Sequence, residues 1–283
     1  MSEPTVKGST MFARYKGYKV KDFKKALVRQ IKLPLYRGNA VECPVCDARL
    51  SRFKPIYKSF PRKLREMGFV HPLEAFETLN LAAYSCPSCD ASDRERLYAV
   101  YLRQRLAALD TGQRYCFVDF APSLALSRLL RGSACLEYRT ADYFRPNVDD
   151  QVDISNMPLY GNNSVDMFMC SHILEHVPND RAAMRELFRI LKPGGFGIVM
   201  VPLVVGVTET QEDPAINTPE LRWRHYAQDD HLRLYGTEDL VARLSAAGFV
   251  VRSLDRAHFG ADVFARAGIA DNSVLYVVEK STA

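Results

Sequence analysis

No window of this 283-residue chain approaches 18 uninterrupted apolar residues, so a membrane-crossing helix is not expected. The opening residues Met1-Ser2-Glu3-Pro4-Thr5 lack an apolar core, so no secretory signal is expected either. Low-complexity tracts and long internal repeats are missing. Acidic residues are scarce early on: residues 1–67 hold 17 Lys/Arg and 5 Asp/Glu, a net charge of +12, against 21 and 28, or −7, in the rest. A basic head on an acidic body suits an anionic partner, whether nucleic acid, lipid headgroups or an acidic glycan, or docking of the head on its own body. Composition is otherwise that of a globular protein, with 47% hydrophobic and 25% charged residues. The length accommodates one large domain and a small one. Seven cysteines without a signal imply a reducing cytoplasm, and thiol or metal chemistry in place of disulfides.

Residues 1–12 read as a flexible leader. From Val20 to Leu33 the apolar positions Val20, Phe23, Ala26, Leu27 and Ile31 form a helical stripe, with Lys21, Lys24, Lys25, Arg29 and Lys32 largely opposite. This helix could pack on its own protein or lie peripherally on an anionic inner membrane. Two Cys-x-x-Cys turns follow, Cys43-Pro44-Val45-Cys46 and Cys86-Pro87-Ser88-Cys89, separated by 39 residues. Four thiolates in two such turns are the usual ligands of structural, tetrahedral zinc. The separation exceeds the ~15–20 residues of short zinc modules. It predicts a helix between the turns, near Pro61–Met67 or Pro72–Leu81.

Ala91–Leu109 reads as a helix. Beyond Gly112, strands are expected at Tyr115–Phe120, Leu136–Asp142, Val165–Cys170, Phe196–Val201, Phe249–Leu254 and Ser273–Glu279. Helices are expected at Ser123–Arg131, Asp180–Leu191 and Thr237–Ala247. Such alternation predicts a parallel, doubly wound α/β sheet. No obvious helix separates the last two strands, which suits an antiparallel edge hairpin. The expected organisation is a basic leader and helix over 1–40, a four-cysteine module with its linking helix over 41–112, and an α/β domain over 113–283.

The run from Val165 to Pro178, containing Ser171-His172-Ile173-Leu174-Glu175-His176-Val177, precedes Leu191-Lys192-Pro193-Gly194-Gly195-Phe196. In this order and spacing the two motifs resemble those of class I S-adenosylmethionine-dependent methyltransferases. Over about residues 40–283 the chain resembles bacterial methyltransferases led by a zinc ribbon and associated with glycan or small-molecule modification. The resemblance implies a Rossmann-like fold, preceded by the zinc module at Cys43, Cys46, Cys86 and Cys89, and S-adenosylmethionine as cofactor. By the same resemblance Asp142, with Tyr143, would meet the ribose, and Asp153-Ile154 the adenine. Asp119, Phe120 and Ala121 would approach the methionine end, beside Ser171 and His172. An aspartate is apt for the ribose because its carboxylate accepts from hydroxyl donors. The family's usual Gly-x-Gly turn after the first strand is missing. Asp119-Phe120-Ala121-Pro122-Ser123 stands there, and Ala-Pro cannot adopt every conformation that glycine allows.

Transfer to a hydroxyl needs a base as well as positioning. His172, His176 and His231 are candidates, with Asp230 to orient an imidazole. A metal reading stands beside this one. His172, Glu175, His176 and His231 resemble the divalent-metal set of some quinone and RNA-end methyltransferases, so Glu175, His176 and His231 could hold a second cation. A structural reading, in which Glu175 and His176 brace a helix start, stays open. The irregular stretch Pro202–Gln228 is expected to form a lid or acceptor pocket, in which Trp223 and Tyr226 could stack on a ring and Arg222 and Arg224 could bind an anion. The expected activity is methylation, on oxygen, of a sugar, glycan or other hydroxylated molecule. The alternatives are a ribosomal or transfer RNA methyltransferase, though no Asn-Pro-Pro-Tyr follows the fourth strand, and a non-catalytic adaptor.

Overall fold

The computed structural model describes residues 31–282. The expected leader, and all but the end of the expected helix Val20–Leu33, lie outside them. Strands β1 (Arg37–Glu42) and β2 (Arg49–Leu50) pair antiparallel around the first cysteine turn. Helix α1 (Ser59–Glu66) follows between the two turns, and α2 (Asp93–Ala107) after the second. Ser92 starts α2 through a full capping box with Glu95, two orphan amide donors being satisfied reciprocally.

Then come β3 (Tyr115–Phe120), α3 (Leu124–Arg131), β4 (Leu136–Asp142), β5 (Asp150–Gln151), β6 (Val165–Ser171), α4 (Asp180–Ile190) and β7 (Leu191–Met200). The chain ends in α5 (Pro219–Tyr226), α6 (Thr237–Ala246), β8 (Val250–Leu254), α7 (Arg256–Phe259), α8 (Ala261–Ala267) and β9 (Leu275–Glu279). The seven-stranded sheet has the order β5-β4-β3-β6-β7-β9-β8. Its first five strands are parallel, and β9 enters antiparallel between β7 and β8.

The expected doubly wound sheet with an antiparallel edge pair is therefore present. The expectation that no helix separates its last two strands is corrected, because α7 and α8 lie between them. Asp255 caps α7, and Gly260, at φ +97°, divides it from α8. Helices of four and seven residues are too short to show a periodic stripe. Helix α5 was also not foreseen. Thr218 caps it and Pro219 occupies its first turn, but its only buried residue is Tyr226, which leaves no apolar face to detect.

The core lies on both faces of β3, β6 and β7. Phe168 is fully buried against Phe120 and Phe249, a burial of about 1.5–3 kcal/mol. Gly197 on the neighbouring strand makes room for that ring: a Cβ there would collide with it. Helix α2 crosses the sheet with its N-terminus at the carboxyl edge. Tyr98 in its first half bonds Ser171 at the end of β6, whereas Tyr101 packs on Phe196 in the middle of β7.

Candidate active site

The carboxyl edge of a parallel sheet is where loops converge and ligands bind. Four adjacent strands deliver the expected residues there. Asp119 and Phe120 end β3, and Ala121 follows. Asp142 ends β4, and Tyr143 stands 57% exposed just beyond it. Asp153 and Ile154 follow β5, and Ser171 and His172 close β6. Ala121 adopts φ +52°, so the missing glycine leaves behind a left-handed turn taken by alanine. His172 is left-handed too, at φ +56°. Each costs roughly 1–2 kcal/mol, strain of the kind held at functional edges.

The acids differ in freedom. Asp119 is wholly buried; its Oδ2 accepts from the Tyr138 hydroxyl at 2.6 Å, and its Oδ1 has no partner. Burial pushes its carboxyl up to about 7. Asp142 Oδ1 accepts the amides of Phe144 and Arg145, leaving Oδ2 near the Arg145 guanidinium at 3.3 Å. Asp153 Oδ1 accepts from Ser155, and Ile154 is 6% exposed, most of its face already committed to the core.

Past His172 a single turn holds a tight cluster. Glu175 is 1% exposed, and neither of its carboxylate oxygens has a hydrogen-bond partner. His172 Nδ1 lies 3.3 Å from Glu175 Oε1 and His176 Nε2 lies 4.0 Å from it. His176 turns its Nδ1 toward Asp230 at 3.5 Å. The His231 ring stands edge-on to that of His176, its Nδ1 2.7 Å from the Tyr226 carbonyl oxygen. Asp230 thus orients His176, while a backbone carbonyl orients His231. Burial, and after it the charge of Arg94, holds the His172 imidazole down at about 4; burial lowers His231 as well. Burial acts to raise the Glu175 carboxyl, but the three imidazoles outweigh it and hold it down.

Arg233 locks this turn in place. Its guanidinium, 1% exposed, donates to the carbonyls of Leu174, Val177 and Pro178 and to Glu212. The Leu232 amide donates to the Glu175 carbonyl. The stretch after β7 therefore returns to the end of β6. On its way it packs with the excursion between the cysteine turns: Leu64, Phe76, Val204, Tyr226 and Leu234 form a second small core. Backbone bonds from Val70 to Arg224 and from Val205 to Ala75 join the two segments. The excursion is thus packed on the irregular stretch that was expected to form a lid or acceptor pocket. Tyr226 does not offer a stacking face, as expected from the sequence; it is fully buried and its hydroxyl accepts the Asp213 amide. Trp223 instead lies under the Lys63 ammonium at 5.8 Å.

The cysteines come together at the root of this excursion. Cys43 Sγ is 3.7 Å from Cys89 Sγ, and Cys46 Sγ is 3.9 Å from Cys86 Sγ. Sulfurs bound tetrahedrally to zinc at ~2.3 Å stand about 3.8 Å apart, so the four thiols have the spacing such an ion requires. Both turns continue Asp-Ala, with Asp47 at φ +58° and Asp90 at φ +69° reversing the chain alike. Arg94 is a residue that sequence reasoning missed, because nothing local distinguishes it from the other arginines of α2.

A family model described as methyltransferase domain matches residues 84–254. No curated protein matches the chain. Among solved structures, a SAM-dependent methyltransferase from Archaeoglobus fulgidus is 13% identical, covering 67% of this chain and 94% of its own at a TM-score of 0.41. The YcgJ protein of Bacillus subtilis is 14% identical over 65% of this chain and 99% of its own, TM-score 0.41. The cyclase SpnF is 18% identical over 66% and 84%, TM-score 0.39.

Proposed function

The chain belongs to the methyltransferase-domain family as a S-adenosylmethionine-dependent methyltransferase, and on that premise we propose that it methylates a hydroxyl of a sugar, glycan or other small acceptor. The supporting observation is the row of Asp119, Asp142, Asp153 and Ser171-His172 along adjacent strand ends, facing an imidazole–carboxylate cluster. The cofactor fits the residues present. Asp119 Oδ1 is buried without a donor, Asp142 keeps an oxygen for a ribose hydroxyl, and Tyr143 offers an exposed ring. When bound, S-adenosylmethionine supplies a methyl group activated by its sulfonium.

The chain's own part is to hold both partners in line, exclude water and take a proton. His176 is the stronger base candidate. It is 31% exposed, with Asp230 on Nδ1 leaving Nε2 to receive the acceptor proton, whereas His231 is buried. The cap of α1, α5 and their loops would close over the acceptor. Its Lys58, Arg62, Lys63, Arg65, Arg222 and Arg224 favour an acceptor that carries negative charge. The four cysteines would hold a structural zinc ion, which closes the root of the cap and, having no open position, takes no part in transfer.

A second reading of the cluster rests on the unpartnered Glu175 oxygens. Ligand atoms of Glu175, His176 and His231 all lie within 4.8 Å of one another, so the three could hold a divalent cation. Titration with Mn²⁺, followed by its paramagnetic resonance, separates the two: binding lost in Glu175→Gln supports the cation, and no binding supports the base. Calorimetry with S-adenosylmethionine and its demethylated product tests the main reading. Micromolar binding that Asp142→Ala abolishes is expected, and a folded protein binding neither at millimolar ligand would overturn it.

A further inference from the structure

The segments α1 and α5 carry more positive charge than they pair. Lys58, Lys63 and Arg65, on and beside α1, and Arg222 and Arg224 of α5 form no ion pair among the described residues. Arg222 Nε is buried and has no hydrogen-bond partner. Arg62 reaches Glu66 at 3.6 Å, but both side chains are exposed, so that pair holds the guanidinium weakly. The arginines that fix the body differ: Arg139, Arg189, Arg233 and Arg243 each sit on a carboxylate.

These cations border a groove. Ser59, Phe60, Arg62, Lys63 and Glu66 of α1 and Trp223 of α5 line an open cavity of about 420 Å³. Clefts of ~300–1,000 Å³ take small molecules. Trp223 is half-buried; it packs on the second small core and has the Lys63 ammonium 5.8 Å from its ring centroid. A flat ring beside two cations suits a nucleotide, with the base stacked on the ring and the phosphates on the cations. Glu66 at the same groove disfavours a strand that brings further phosphates. The groove also lies near the imidazoles. Trp223 precedes Tyr226 by one helical turn, about 4.5 Å along α5. The Tyr226 carbonyl oxygen is in turn 2.7 Å from His231 Nδ1.

We propose that this groove binds the nucleoside diphosphate of a nucleotide-activated sugar, and that such a sugar is the acceptor. The proposal rests on the methyltransferase reading above and gives its acceptor a chemical class. The base would stack on Trp223, and Lys63 and Arg62 would take the phosphates. A diphosphate is long enough to bridge one helical turn, which leaves the sugar hydroxyl to the imidazole cluster.

Trp223 is the chain's single tryptophan, so its emission reads the groove directly. The full, folded chain is titrated with uridine diphosphate, guanosine diphosphate, inorganic pyrophosphate and polyuridylate. At least one of the two nucleotides should quench the emission saturably at micromolar concentration, with pyrophosphate about tenfold weaker or more. Lys63→Gln and Arg62→Gln should each weaken that nucleotide about tenfold. Both side chains are exposed, so the melting temperatures of the variants should match that of the wild type. Pyrophosphate bound as tightly as either nucleotide, an affinity unchanged in both variants, or no quenching at millimolar nucleotide would overturn the proposal. Polyuridylate bound far more tightly per nucleotide than uridine diphosphate would overturn it in favour of a nucleic-acid strand. The parent reading falls by a different result, failure to bind S-adenosylmethionine or its demethylated product, neither of which enters these titrations.

Discussion

Replacing Asp119 by asparagine should flatten the dependence of stability on pH. The wild-type carboxyl, wholly buried at the end of β3, is pushed by burial from its ordinary 3.8 up to about 7. In the folded protein it therefore keeps its proton to near neutrality, whereas the unfolded chain releases it near pH 4. Between those limits the folded state binds the extra proton, so stability is greatest below about 4 and falls as pH rises through 7. Each unit is worth 1.36 kcal/mol, so from pH 5 to the folded value of about 7 the wild type loses about 2.7 kcal/mol. No discount for solvent screening applies to a group with no exposure. Glu77, pushed up to about 7 by burial as well, contributes in the same direction, but equally in both proteins. Urea unfolding of wild type and Asp119→Asn at pH 5 and pH 8 isolates the effect. The variant should gain about 2–3 kcal/mol on the wild type between the two pH values. It should start lower at pH 5, since the new amide sits where Oδ1 already lacks a partner. A relative change below about 1 kcal/mol would show that Asp119 is ionised in the folded protein and that the strand end is wetter than its burial indicates.

Arg233→Met should cost about 2–4 kcal/mol in urea unfolding, since it strips the carbonyls of Leu174, Val177 and Pro178 of one buried donor and leaves Glu212 with Arg243 alone; a loss under about 1 kcal/mol refutes the lock. Gly197→Ala should cost about 1–3 kcal/mol, because the new Cβ meets the Phe168 ring, and a neutral result would mean that the ring moves freely. Chelating metal from the purified protein should shift the emission of Trp223, the chain's single tryptophan, while the far-ultraviolet signal of the sheet is largely kept; an unchanged emission spectrum refutes a metal-rooted cap.

Much of the sheet was legible because its strands are short apolar runs bounded by turn residues. Tyr115–Phe120 and Leu136–Asp142 were delimited to the residue, and Val165–Cys170 fell short by Ser171 alone. Where burial imposes no period, the sequence was silent. Asp150–Gln151 is two residues long, α5 buries one side chain, and α7 and α8 are single turns or little more. Strand β7 starts at Leu191, earlier than expected, because Lys192-Pro193-Gly194-Gly195 is absorbed as an irregularity in its pairing with β6. The candidate site was legible as a set of strand ends, since each expected residue follows an apolar run. Its internal allegiances were not. That Asp230 serves His176 and not His231, and that Tyr226 faces inward, both depend on how separate segments meet. The partnership of Leu64 and Phe76 with Val204 and Tyr226 is of the same kind, and local pattern carries no record of it.

The two ends of the excursion between the cysteine turns meet at Cys43 and Cys89, whose sulfurs are 3.7 Å apart. Its middle is held separately, by Leu64 and Phe76 against Val204 and Tyr226 and by the backbone bond from Val70 to Arg224. Root and middle are thus two independent fastenings: freeing the cysteines should loosen the ends while the middle stays docked, and substituting Leu64 should do the reverse.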